Sequence, residues 1–287
     1  MTTDRKTGKI ISTAVKAVLV VIVCVFGLFL SDKRIPDSKP EGALRVMFFD
    51  VGEADCSLAY GDGISILTDA PKDKTRQAAG VMRRAGIKRL DLLVITHYDY
   101  DHCGDAVRIL EEFGADTVLL PEPGEENERR LCAAIKEKSD GGFIFAKTGQ
   151  SYDINGARAE ILAPNGAPDK NNALCIVYKL SYNGKSVLMC ADAEVKEEKV
   201  ILSKYKNELR SDIIKVAHHG SKYSSSSDFI KAVNAKYAVI SCGANGYGHP
   251  DLGKIDAFEQ SGAEVFITQR DGVVIFDLLP DGVEKVK

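Results

Sequence analysis

An apolar run that stops abruptly in a knot of metal-capable side chains restricts what this chain can fold into more than any other feature. Leu90-Asp91-Leu92-Leu93-Val94-Ile95 leads, through Thr96, into His97-Tyr98-Asp99-Tyr100-Asp101-His102. A buried strand that ends this way delivers its ligands to the rim of a sheet, where a divalent metal is held open to substrate. His97 and Asp99 alternate with Tyr98, so in an extended segment they point the same way. Asp101 and His102 are adjacent and need a turn to converge. The bland alternative is a polar turn in which Asp101 caps a helix starting near Cys103. Against it, two of the chain's five histidines fall in this hexapeptide.

Two further apolar runs end in similar chemistry. Ile213-Ile214-Lys215-Val216-Ala217 runs into His218-His219-Gly220-Ser221, and Ser186-Val187-Leu188-Met189-Cys190 runs toward Asp192. Alone, a histidine pair closing a strand is as readily hydrogen-bonded structure as ligand, and Asp192 reads as a loop aspartate. Beside the first cluster, each becomes a candidate ligand, and a carboxylate at 192 is able to bridge two metals. The chain so far reads as a metallohydrolase.

Six segments then occur in order: Phe48-Phe49-Asp50-Val51-Gly52-Glu53-Ala54-Asp55; Thr96 to His102; Asn171-Asn172-Ala173-Leu174; Ala191-Asp192; Ala217 to Lys222 with Ser224 to Ser227; and Tyr247-Gly248-His249-Pro250. This set resembles the metallo-β-lactamase-fold domain of ComEC-type competence proteins over about residues 43–280. The resemblance implies an α/β (α+β) fold, the αβ/βα four-layer sandwich, with the metal-bearing loops gathered at one edge of paired sheets. It implies that Asp101, His102, Asp192 and one or both of His218 and His219 hold one metal, while His97, Asp99 and the shared Asp192 hold a second. Asp50 and Asn172 become supporting residues. His249 lies near substrate, and His249 and Asp101 become the candidate catalytic residues. A structural histidine beside Pro250 is the competing reading of His249.

The implied chemistry is metal-assisted hydrolysis of a phosphodiester by a metal-activated water, using one or two divalent ions, Zn2+ or Mn2+. DNA is the first substrate expectation. Alternatives are another exported phosphodiester, such as a phosphorylcholine or cell-wall ester, and a metal-depleted, non-catalytic binding module. Two departures from the family pattern bear on the last. Where the superfamily commonly has a further histidine, this chain offers only Asn171 and Asn172, as is usual in the ComEC-type branch, which weakens the second site. Ala54, Asp105 and Ala191 stand where the family usually places glycines, and each added side chain burdens a turn that needs close approach or positive φ.

Strands are expected at 44–49, 55–60, 64–69, 90–96, 116–120 and 158–162, with helices near 72–86, 103–113 and 125–138. A second half repeats strands at 173–181, 185–190, 212–217, 237–241, 264–268 and 272–278, with helices near 194–206, 225–234 and 251–261. Residues 41–287 form the hydrolase domain, and residues 1–40 an anchor with a polar linker. Ile10 to Leu30 is apolar apart from Lys16 and small polar residues, and follows Arg5, Lys6 and Lys9. Its 21 residues just span a bilayer at 1.5 Å per residue. No Ala-x-Ala-like cleavage site follows, and the slight excess of basic residues on the amino side puts the catalytic domain outside a cell membrane crossed once. The multispanning channel of ComEC-type proteins is absent from this chain.

Charge and cysteine content qualify both expectations. The seven Lys and Arg and three Asp of residues 1–40 leave a formal −7 on residues 41–287. That excludes a strongly basic surface of the kind that binds DNA by counterion release. The visible basic candidates are Arg83, Arg84, Lys88 and Arg89 before the first cluster, and Lys215, Lys222, Lys231 and Lys236 near the second. Seven cysteines without paired spacing read as buried small hydrophobes rather than a disulfide framework.

Overall fold

Among the described residues fifteen strands pair into two sheets because the long apolar runs bury both of their faces, as Leu44–Phe48 and Ile64–Thr68 do along their whole length. In the computed structural model, residues 39–164 and 174–286 are described. The expected membrane segment 10–30, Cys24, Asn171 and the supporting residue Asn172 lie outside them. Among the described residues no helix is long and apolar enough to cross a membrane.

The first sheet contains β1 (Leu44–Phe48), β2 (Ser57–Gly61), β3 (Ile64–Thr68), β4 (Leu90–Val94), β5 (Ala115–Leu120) and β6 (Ile144–Phe145), with β14 (Val274–Leu279) and β15 (Gly282–Val286). Their order is β15-β14-β1-β2-β3-β4-β5-β6. The second contains β7 (Ser151–Ile154), β8 (Ala157–Ala163), β9 (Val177–Tyr182), β10 (Lys185–Met189), β11 (Ile213–Lys215), β12 (Tyr237–Ile240) and β13 (Glu264–Ile267). Their order is β13-β12-β11-β10-β9-β8-β7. β3, β4 and β5 run parallel, as do β10 through β13.

The inner faces meet in one apolar layer that takes Val46 and Phe48 from β1, Val94 from β4, Tyr178 from β9, Met189 from β10 and Val239 from β12. Leu188, Ile214 and Ile240 face the other way, packing with Ile201, Phe229, Ile230 and Phe258 from helices Val195–Tyr205, Ser227–Val233 and Leu252–Gln260. The result is the expected αβ/βα sandwich. Across β1 and β14, Arg45 and Asp277 sit in register, and the guanidinium donates to both carboxylate oxygens at 2.8 Å, nearly fully buried.

The differences from expectation have local causes. The helix expected over 72–86 begins only at Gln77, because the Asp73 carboxylate accepts from Thr75 N and Gln77 N and holds a turn there. The expected helix 103–113 is split into Tyr100–Cys103 and Ala106–Phe113, since Asp105 N donates to Ala70 O at 2.8 Å. Strands β6, β7 and β15, absent from the expectation, are all sheet edges with partly exposed, mixed side chains. Strands β4, β10 and β11 each stop three residues before His97, Asp192 and His218, so these candidate ligands enter loops at the carboxyl ends, where open sheets bind ligands.

Candidate metal centre

Three histidines are held so that the same ring nitrogen of each points to one place. The Ser241 carbonyl, just past β12, only accepts, so the His219 Nδ1–H donates to it at 2.9 Å. Asp69, which closes β3, accepts from His102 Nδ1 at 2.8 Å. The Thr96 hydroxyl donates to the same carboxylate at 2.9 Å and therefore accepts from His97 Nδ1 at 3.1 Å. Each Nε2 is left as a free lone pair, the arrangement by which supporting groups orient metal-binding imidazoles. Nε2 of His97, His102 and His219, and Oδ1 of Asp192, are buried and have no hydrogen-bond partner.

These orphaned atoms converge. Asp192 lies 3.4 Å from His102 Nε2 through Oδ1, and 3.9 and 3.8 Å from His97 and His219 Nε2 through Oδ2. Asp101 Oδ2 stands 3.3 Å from His219 Nε2 and 3.7 Å from His102 Nε2, and Asp99 Oδ2 stands 3.6 Å from His97 Nε2. Two overlapping groups, His97–His102–Asp192 and Asp101–His102–His219, have ligand atoms within 4.8 Å of one another. Buried polar atoms without partners cost about 1–3 kcal/mol each. A divalent cation coordinated by this imidazole and carboxylate set removes that cost, so the residues fit one or two such ions.

The local field draws positive charge to the same point. Burial alone depresses His102, but Asp192, Asp69 and Asp55 reverse this and push it up to about 10. Burial likewise opposes the charge on His219, which Asp55, Asp101 and Asp192 push up to about 9. Asp192 is held well below the ordinary carboxylate range, because His102, His97 and His219 outweigh its burial.

The family model described as the metallo-beta-lactamase superfamily matches residues 56–131. The chain is 30% identical over 195 residues to ComE operon protein 3 of Bacillus subtilis, covering 66% of this chain and 25% of the relative. It is 29% identical over 255 residues to competence protein ComA of Neisseria gonorrhoeae, covering 87% and 34%. The metallo-β-lactamase fold protein YhfI from Bacillus subtilis superimposes with a TM-score of 0.56 at 11% identity, covering 82% of this chain and 100% of that one. The chain is a metallo-β-lactamase-fold domain of the ComEC type. It spans between a quarter and about a third of the length of these two curated relatives.

Within this ComEC-type domain the histidine pair divides. His219 is buried in the cluster. His218 is partly exposed, with Nε2 3.7 Å from Asp192 Oδ2 and Nδ1 3.6 Å from Glu194, and burial lowers its pKa. Both have left-handed backbones, at φ 52° and 51°, a strain of about 1–2 kcal/mol per residue. Gly220 follows at φ 78°, where a Cβ would press on Pro250. His249 belongs to neither group: its Nδ1 is 2.9 Å from Glu53 Oε1, and its ring lies 5.5 Å from His218 and 6.1 Å from His219. Asp50 is half-buried, and its carbonyl accepts from Gln77 Nε2. Its carboxylate is in none of the metal-capable groups found among the described residues.

The supporting work falls to residues the sequence left without a role. Asp69 orients His102. Asp55 is buried, with Oδ1 3.6 Å from His219 Nδ1, and pairs with Lys215. Lys215 is thereby corrected from a visible basic candidate to an interior one, since β11 turns it under the cluster with only 4% of its surface exposed. Arg83 pairs with Glu112, and Arg89 with Asp116 and Asp140, so neither offers an uncommitted charge for phosphate. The six described cysteines are free and buried, as expected. Asp69 had one sequence signal, a carboxylate closing a strand at the metal edge.

Of the three glycine replacements, only Ala191 carries backbone strain, at φ 46°. Ala54 and Asp105 are not left-handed. Ala191→Gly is expected to stabilise the domain by about 1 kcal/mol and to retain metal binding, as read by urea denaturation and metal analysis. A less stable variant would show that residue 191 is not left-handed in solution.

Proposed function

We propose that this chain is a membrane-anchored phosphodiesterase or nuclease acting on DNA. The observation that carries the reading is the convergence of four orphaned ligand atoms, from the loops after β4, β10 and β11, at one edge of the sheets. It favours an enzyme over a metal-depleted binding module, which would have no reason to keep such atoms unpaired. In this reading Asp101, His102, Asp192 and His219 hold one ion, and His97, Asp99 and the shared Asp192 hold the other. When bound, the divalent ions supply the Lewis acidity that makes water a nucleophile near neutral pH and steadies the phosphoryl oxygens. Asp69, Thr96 and Ser241 fix the imidazoles so that no reorganisation is needed. His249, held by Glu53 beside the cluster, hydrogen-bonds the scissile phosphate. Incubating the protein with Mn2+ and either single-stranded DNA or bis(4-nitrophenyl) phosphate tests the reading. Hydrolysis of neither rejects it, and hydrolysis of the small ester alone favours another phosphodiester.

The two metal sites are expected to differ in strength, because one draws on four protein ligands and the other on three. His97→Ala should retain about one ion per chain and lose activity that excess Mn2+ partly restores, whereas His102→Ala should not be rescued. Equal rescue of both, or a single tight step in metal titration of the parent, counts against the asymmetry. For the anchor, the full chain should sediment with membranes while residues 41–287 stay in the supernatant; soluble full-length protein would remove that part of the proposal.

A further inference from the structure

Five large apolar side chains are exposed among the described residues, and four of them, Tyr100, Tyr223, Tyr247 and Leu252, belong to the segments that carry the metal cluster and His249. Tyr100 stands between Asp99 and Asp101. Tyr223 lies four residues past His219, and its carbonyl accepts from Val195 N at 3.0 Å, beside Glu194. The Tyr247 ring, 80% exposed as a residue, is 5.8 Å from His249. From there ring contacts continue at 6.1 Å to His219 and 5.5 Å to His102. Ammonium groups accompany two of the rings: Lys72 Nζ is 5.9 Å over Tyr100 and Lys222 Nζ is 5.1 Å over Tyr223.

Exposed apolar side chains on the very segments that carry a metal cluster mark a binding surface. Flat rings flanked by cations suit a ligand that repeats flat faces and negative charges, which describes single-stranded nucleic acid. A duplex hides its base faces and must be gripped by its phosphates, for which a domain of formal charge −7 is poorly equipped. Sugar rings of a glycan also stack on tyrosine, but a neutral glycan gives Lys72 and Lys222 nothing to pair with.

We propose that Tyr100, Tyr223 and Tyr247 form a base-stacking platform around the metal cluster that selects single-stranded nucleic acid over duplex, a proposal that rests on the nuclease reading. The test uses the full chain in detergent with Mn2+ and a labelled, cleavage-resistant phosphorothioate oligothymidylate. Its controls are an abasic strand of the same length and linkage, and the duplex. The oligothymidylate should bind at least about tenfold more tightly than either control, each Tyr→Ala should cost about tenfold, and each Tyr→Phe should restore binding. Circular dichroism and bound metal per chain should be unchanged in all the variants. Equal affinity for the abasic strand, alanine variants that bind like the parent, or tyrosine-dependent binding of a glycan in place of the oligonucleotide would each overturn the platform. The two readings fail separately. Tyrosine-dependent binding of ordinary DNA that is never cleaved removes the nuclease alone, and cleavage with a KM indifferent to Tyr→Ala removes the platform alone.

Discussion

Asp192→Ala is expected to lower kcat/KM for any phosphodiester the protein cleaves by about a thousandfold or more, roughly 4 kcal/mol at the transition state, while leaving the domain folded. Four histidine Nε2 atoms lie within 3.9 Å of this one carboxylate, so its loss strips the shared anionic ligand from both metal positions at once. The fold survives for a separate reason. Asp192 Oδ1 accepts no hydrogen bond, and the imidazoles stay held at Nδ1 by Asp69, Thr96 and the Ser241 carbonyl. Circular dichroism should overlay the parent, and metal analysis should show the bound ions largely gone. Unchanged turnover, or full retention of metal, would reject the shared-ligand role.

Asp55→Ala should have the largest effect on stability. It leaves the Lys215 ammonium, 5% exposed at the side chain, without its partner. Burial opposes the charge on Lys215, but Asp55 and Asp192 together outweigh it and raise its pKa, so the ammonium stays charged in the folded protein. Breaking a buried pair from one side costs about 3–5 kcal/mol, which in a domain of this size lowers Tm by roughly 10 °C. The double variant Asp55→Leu/Lys215→Met removes both charges and should recover most of the loss. Thermal unfolding of the two variants makes the comparison. If the single variant melts with the parent, or if the double variant is as unstable as the single, the ion pair is not what holds β11 against the loop after β1.

The two variants probe parts of the centre that were unequally legible. His97, Asp99, Asp101, His102, Asp192 and the 218–219 pair could be found because each follows an apolar run long enough to be a strand, and ligand chemistry at a strand end has few other uses. Which histidine of the pair enters the cluster could not. That depends on two successive left-handed residues and on the Ser241 carbonyl, which arrives from β12, 22 residues further along the chain. Lys215 shows the same limit: a lysine in a short strand reads as surface until the partner that neutralises it, 160 residues away, is known.

The apolar runs located most strands and helices, and the histidines and aspartates that punctuate them located the candidate ligands, because strand burial and ligand chemistry are both local properties; the four-layer sandwich with a metal-bearing edge was implied by the family resemblance. The edge strands β6, β7 and β15 escaped, since a strand exposed on one side loses the pattern that identifies it. The orientation of the ring nitrogens, the buried Asp55–Lys215 pair, the service of Asp69 behind His102 and the exposure of Tyr100, Tyr223 and Tyr247 were decided only by the tertiary structure. Each depends on segments from different strands meeting at the same sheet edge, and no local pattern records which distant carbonyl, carboxylate or ring a side chain will meet there.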